Sequence, residues 1–360
     1  MAYTTINDPS EYFSILQHTG TSTDALSLVG AGFQPDWVWI KDRTNARDHM
    51  IFDSVRGATK DIHSNNDDSE TTIADTLTAF TSDGFSLGAD STAASALVNG
   101  NSNNYVSWNW KANGAGSANS DGTTASTVSV NTTAGFSIVK YNGTGANATV
   151  GHGLGVAPKV IIVKNLESSY EWIIGHADLD TNGTGFSDNW YFNGFGTGAR
   201  NQNATASWNS TDPTTSVFSL HSGATYMNAS GESNIAYCFA EKTGFSKFGK
   251  YIGNGNTDGS FVYTGFKPAW VLMKNSTQSG DRWTLYDNKR DTINPTYRRL
   301  FPDGSLAESA NTDADIDLLS NGFKLRTDAG TTSTNGETYI YMAFAEAPLV
   351  GSNNVPATAR

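Results

Sequence analysis

The chain has 360 residues, with 36 glycines, only 16% charged side chains and a formal net charge of −12. Such acidity without basic stripes argues against nucleic acid as a partner, because a phosphate backbone selects clustered lysine and arginine. One cysteine, Cys238, leaves no disulfide framework within the chain, and no run of roughly 18 apolar residues is present to insert in a membrane as a helix.

In chain order, residues 1–10 read as an N-terminal arm. Met1-Ala2-Tyr3-Thr4-Thr5 has neither the charged start nor the apolar stretch of a signal peptide, which predicts synthesis in a cytoplasm. A first domain follows over 11–112. It holds Gly32-Phe33-Gln34-Pro35-Asp36-Trp37-Val38-Trp39-Ile40-Lys41, then a turn at Asp83-Gly84 and an alternating strand at Tyr105 to Trp110. Residues 113–134 are rich in Gly, Ser, Ala and Thr and have the composition of a flexible linker, although Thr127-Val128-Ser129-Val130 could pair as an extra strand.

The first pattern then returns twice. In a second domain, 135–243, Gly155-Val156-Ala157-Pro158 leads into Val160-Ile161-Ile162-Val163-Lys164, and the closing strand is Ile235 to Phe239. In a third, 244–347, Gly265-Phe266-Lys267-Pro268 leads into Trp270-Val271-Leu272-Met273-Lys274. Asn321-Gly322 then makes the turn and Tyr339 to Phe344 closes the copy. A tail occupies 348–360. The identical spacing of Gly, Pro35, Pro158 or Pro268, four apolar residues, and Lys41, Lys164 or Lys274 marks an internal threefold repeat.

Proline stops pairing, the apolar run after it reads as a strand covered on both faces, and the lysine predicts where that strand meets water. Asp-Gly and Asn-Gly between apolar runs predict tight hairpins with positive φ. About seven to ten strands per roughly 110 residues predict an all-β fold of three tandem diverged β-sandwich domains, jelly-roll-like. Whether they pack around a pseudo-threefold or string out as modules stays open.

No catalytic constellation emerges, so the chain reads as a non-enzyme. The six histidines are scattered, and Cys238 aligns with Asn109 and Ala343, a strand position and not a nucleophile. Asp53 and Asp287 align after the repeated lysine, but the second copy has Gly175-His176 there, so a role in the fold is expected. The acidic clusters Asn65 to Glu70 and Asp313, Asp315, Asp317 read first as solvated loops, with calcium as the one ion they could hold; no other cofactor is expected. Trp172, Trp208 and Trp283 lie in or beside loop-like segments among Asn, Asp and Gly. Core filling is the first reading for these rings, and a sugar-stacking platform is the functional one. Asn189-Trp190-Tyr191-Phe192-Asn193 reads as one more core strand.

The Gly-Phe-x-Pro-x-Trp-Val-Trp-Ile-Lys opening, Ser82 to Gly88, Tyr105 to Ala112, Gly135 to Val139 and Val150 to Lys159 together resemble virion proteins of tailed bacteriophages, especially those infecting marine bacteria. The resemblance covers nearly the whole chain and brings no catalytic or receptor-contact residue with it. It implies a virion component: a tail fibre or tail-associated protein that binds a host-surface receptor or glycan. The alternatives are a capsid decoration or head-fibre protein and, more remotely, a polysaccharide depolymerase. Other virion proteins are the implied partners, with a homotrimer favoured because fibres are commonly trimers.

Overall fold

A computed structural model describes residues 3–91, 97–180 and 182–350. Its first repeat contains β1 (Phe13–Thr19), β2 (Leu26–Val29), β3 (Trp37–Asp42), β4 (His49–Asp53), β5 (Lys60–His63), β6 (Thr71–Thr72), β7 (Leu77–Thr81), β8 (Gly84–Leu87) and β9 (Asn104–Trp110). They form a six-stranded sheet, β1-β9-β3-β4-β5-β6, under a smaller one, β2-β8-β7. The second repeat runs through β10 (Ser117–Asn119), β11 (Ser126–Asn131), β12 (Phe136–Asn142), β13 (Ala148–Gly151), β14 (Val160–Asn165), β15 (Ile173–His176), β16 (Trp190–Asn193), β17 (Asn201–Gln202), β18 (Val217–Leu220) and β19 (Ser233–Phe239). Its sheets are β10-β11-β12-β19-β14-β15-β16-β17 and the pair β13-β18, with the single helical turn α1 (Thr225–Asn228) between β18 and β19. The third has β20 (Ser246–Ile252), β21 (Phe261–Tyr263), β22 (Phe266–Asn275), β23 (Thr284–Asp287), β24 (Ile316–Leu319), β25 (Gly322–Leu325) and β26 (Thr338–Pro348), in sheets β20-β26-β22-β23 and β21-β25-β24.

The order of the four central strands is the same in all three repeats: β1-β9-β3-β4, β12-β19-β14-β15 and β20-β26-β22-β23. Their registers correspond as well, since Trp37 pairs with Trp110, Val160 with Phe239 and Trp270 with Phe344. All-β, sandwich and repeated, the fold agrees with the pattern of the sequence.

Successive side chains on a strand face opposite ways, and here both ways lead inward. Val38, Ile40, Met50 and Phe52 fill the first sandwich with Phe85 and Leu87. Ile161, Val163 and Cys238 do so in the second, and Val271, Met273 and Phe323 in the third. The intervening residues of all three large sheets meet in one common cluster, which holds Trp37, Trp39, Trp108 and Trp110 together with Tyr237, Phe239, Trp270 and Phe344. The repeats are therefore not beads on a string. Three large sheets face a shared core about a pseudo-threefold axis, and three smaller sheets lie outside. At the axis Phe344 touches Trp110 (5.5 Å between ring centroids) and Phe239 (6.0 Å), the three residues occupying equivalent positions.

Several expectations change. Residues 113–134 are no free linker: β11 pairs with β12 from Ser126↔Tyr141 to Asn131↔Phe136, and β10 extends the same sheet. Val128 supplies the apolar face that anchors β11, while the glycines serve the turns. Pro35 and Pro158 precede their strands, but Pro268 lies inside β22, where shifts in register on both sides accommodate its missing donor. Gly84 and Gly322 are required by close approach more than by φ. A Cβ on either would lie about 2 Å from a carbonyl of the neighbouring strand, that of Leu28 or Val262.

The N-terminal arm runs to the junction of the second and third repeats. Ile6 enters the shared core, Thr4 Oγ1 donates to the Thr243 carbonyl (2.6 Å), and Tyr3 Oη donates to that of Gly265 (2.6 Å). The same carbonyl accepts from Leu349 N at 3.3 Å. Of the predicted tail, residues 351–360 lie outside the described residues.

Candidate binding cleft

The residues singled out by sequence are mostly interior. Trp172, Trp208 and Trp283 are 0%, 1% and 2% exposed, so none forms a surface platform. Trp172 and Trp283 occupy equivalent positions just before β15 and β23, and both rings pack edge-on against Phe195 in the shared core (5.8 and 5.2 Å). The Trp172 indole donates to the His63 carbonyl of the first repeat (2.8 Å). Trp208 packs on Phe186 at 5.0 Å inside the second sandwich. Loop position suggested access, but an indole on a loop reaches far enough to bury itself in the adjacent core.

Lys41, Lys164 and Lys274 do not mark the approach to water either; all three are fully buried. Each ammonium is held by backbone carbonyls of its own repeat and of a neighbour. Lys41 Nζ donates to Asp42 (2.8 Å) and to Ser305 of the third repeat (3.2 Å). Lys164 reaches Tyr170 (2.5 Å) and Asp67 of the first (2.9 Å), and Lys274 reaches Asp281 (2.9 Å) and Thr197 of the second (3.4 Å). The three contacts run in one rotational sense around the axis. A second set of cross-links lies beside them. Asp53, in an ion pair with Arg56, accepts from Tyr237 Oη of the second repeat (2.8 Å). Asp287, paired with Arg290, accepts from Trp108 Nε1 of the first (3.0 Å). At the third equivalent position stands His176, held neutral by burial.

The acidic clusters are partly engaged by cations. Glu70 pairs with Arg56, Asp313 with Arg299 and Asp317 with Arg326. Among the described residues no group of three or more His, Cys, Asp or Glu side chains is placed to hold a metal ion.

One surface feature has the make-up of a binding site. In the second repeat β16 and β17 extend the large sheet beyond β15, as β5 and β6 do beyond β4 in the first, while its small sheet has no described strand in the place of β7 or β24. Between these strands and α1 opens a cleft of about 300 Å³, lined by Ile173, Tyr191, Asn193, Asn201, Asn203, Ala206, Gly223, Thr225 and Tyr226. Tyr191 pairs with Asn201 across β16–β17. Alternation along β16 turns Phe192 into the core and leaves Tyr191 half-buried and Asn193 exposed, so the strand is not wholly a core strand.

On the far wall Tyr226 is 39% exposed, and its ring is backed by Tyr170 in a stack of 5.1 Å and 15°. Burial and the proximity of Tyr226 raise the Tyr191 hydroxyl above its ordinary range, so that phenol is neutral and able to donate. No lining residue carries a charge. Arg200, the nearest cation in sequence, lies over the Trp190 ring at 4.5 Å. The sequence placed Tyr191 in a core strand and gave no sign of Tyr226; the signal available was the period-two alternation of Tyr191 and Asn193 beside Asn201 and Asn203.

Residues 8–348 match the family described as a domain of unknown function (DUF7483), and the chain belongs to that family. The match takes in all three repeats as one unit. No curated protein and no solved structure is significantly similar to the chain.

Proposed function

We propose that this protein is a structural component of a bacteriophage virion, tail fibre or tail-associated, that contacts the host surface and binds glycan through the cleft of the second repeat. The motif resemblance supports the virion setting. The observation that carries the binding role is the cleft itself, where aromatic faces and side-chain amides converge without charge. Sugars present an apolar C–H face to rings and hydroxyls to planar amides, and small-ligand sites characteristically combine an apolar wall with a few placed polar groups. The lining includes no carboxylate, whereas a depolymerase would need a pair.

A capsid decoration role is the second reading, favoured by the rigid body: three fused sandwiches with an ordered connection make a compact boss better than a jointed fibre. The threefold that a homotrimer would supply is already present within one chain.

Antibody-gold labelling of intact virions tests the assignment. Label on the tail, together with purified protein blocking adsorption, is the expected result. Label spread over the head would transfer the protein to the decoration class.

A further inference from the structure

We infer that the second-repeat cleft is a single site per chain for an uncharged saccharide, held between Tyr191 and Tyr226 and hydrogen-bonded by Asn193 and Asn201; this rests on the glycan-binding reading above and names its ligand class. The Asn193 and Asn201 amides, and the Tyr191 and Tyr226 hydroxyls, line the cleft and bond to no other described side chain or backbone group, which leaves them available to a ligand there. An amide offers two donors and an acceptor in one plane, which suits vicinal hydroxyls; a carboxylate-bearing sugar calls for a cation. None lines the site, the local arginine is committed to Trp190, and the whole chain bears −12 charges that repel a polyanion. At about 300 Å³ the cleft is at the small end of ligand sites and matches a short stretch of sugar.

The site is also singular. The strands β16 and β17 that form one wall correspond to β5 and β6 of the first repeat, but those pair Lys60 with Thr72 and Asp61 with Thr71 and carry no tyrosine, tryptophan or phenylalanine ring, and the described large sheet of the third repeat ends at β23. Tyr226 is set by the stack on Tyr170, so the ring is held before a ligand arrives.

Isothermal titration of the full chain with cello-, laminari- and manno-oligosaccharides, and with oligoguluronate as the acidic counterpart, tests the inference. Binding of at least one neutral series with one site per chain is expected. Tyr226→Ala and Asn201→Ala should each weaken it about tenfold, the cost of a stacking contact or a hydrogen bond. Both residues are on the surface, and an unchanged melting temperature shows that the variants fold. Oligoguluronate binding lost in the same variants would overturn the uncharged class while leaving glycan binding intact. Neutral binding unaffected by either variant would move the site elsewhere. No saccharide binding, with fluorescent protein still decorating host cells, would overturn the inference but keep host contact through another surface. Failure of both would remove the functional reading as well.

Discussion

At the scale of single residues, the buried lysines are the least expected feature. A lysine at the end of an apolar run reads as the point where a strand reaches water, and the sequence holds no sign that a neighbouring repeat closes over it. The ammonium groups of Lys41, Lys164 and Lys274 are each pushed down to about 8, burial outweighing the pull of nearby carboxylates such as Asp42, Asp67 and Asp281. The unfolded chain keeps those protons up to about 10.4. Between pH 8 and 10 it therefore holds more protons than the folded chain, and stability rises with pH. Above pH 10 the direction reverses: burial raises the hydroxyls of Tyr141, Tyr237 and Tyr251, so the folded chain retains protons that the unfolded one has lost. The melting temperature, followed from pH 7.5 to 11, should climb to a maximum near pH 9–10 and then fall. A flat or declining curve from 8 to 9.5 would show that the three cations are hydrated. Lys164→Met should remove about a third of the climb. At pH 7 it should cost about 1–3 kcal/mol, because the Asp67 and Tyr170 carbonyls lose their donor.

At the scale of elements, the turns after β4 and β23 explain why the repeats diverged where they did. Asp53 caps its turn through Val55 N and Arg56 N, and Asp287 through Lys289 N and Arg290 N. Each then accepts a donor from the last strand of the next repeat, Tyr237 or Trp108. The corresponding residue in β26 is Met342, which has no donor, and it is the second repeat, facing the third, that carries His176 in place of the aspartate. There His176 contacts the backbone, its Nε2 3.4 Å from the Tyr341 carbonyl. Acceptor and donor were lost together. Tyr237→Phe should lower stability by about 1–2 kcal/mol in urea unfolding, the value of one hydrogen bond to a charged group. Asp287→Asn should cost about 3–5 kcal/mol, because buried Arg290 loses the closer of its two carboxylate partners and keeps only Glu308. Equal effects would mean that the cross-link, and not the ion pair, dominates. The aligned aspartates and their replacement in the second copy were legible in sequence; their partners were not, because they lie about 180 residues away, at separations of 184 and 179. The segment 113–134 misled for the opposite reason: its glycines and serines report turns and strand edges, and composition alone cannot separate those from a tether.

At the scale of the molecule, the repeat count, the sandwich class and the double-sided burial of the central strands could be read from spacing and apolar runs. What covers the second face could not, because a strand buried by its neighbour has the same pattern as one buried within its own domain. The cleft was likewise hidden, since the indoles that drew notice are core residues and the working surface is built from tyrosines and asparagines with ordinary neighbours. Because one cluster joins all three large sheets, the chain should melt in a single calorimetric transition, with the van't Hoff and calorimetric enthalpies in agreement. Three resolved transitions would contradict a shared core.

The junction at the Gly265 carbonyl, where Tyr3 and Leu349 meet, has a mechanical consequence. The two ends of the described fold leave from one corner at the junction of the second and third repeats, so a load applied to either end enters the body at the same place. Pulling the ends apart peels the arm and the end of β26 one contact at a time, which takes little force. Hanging from either end alone brings the load in at the edge of the second and third repeats, on the Thr243 and Gly265 carbonyls.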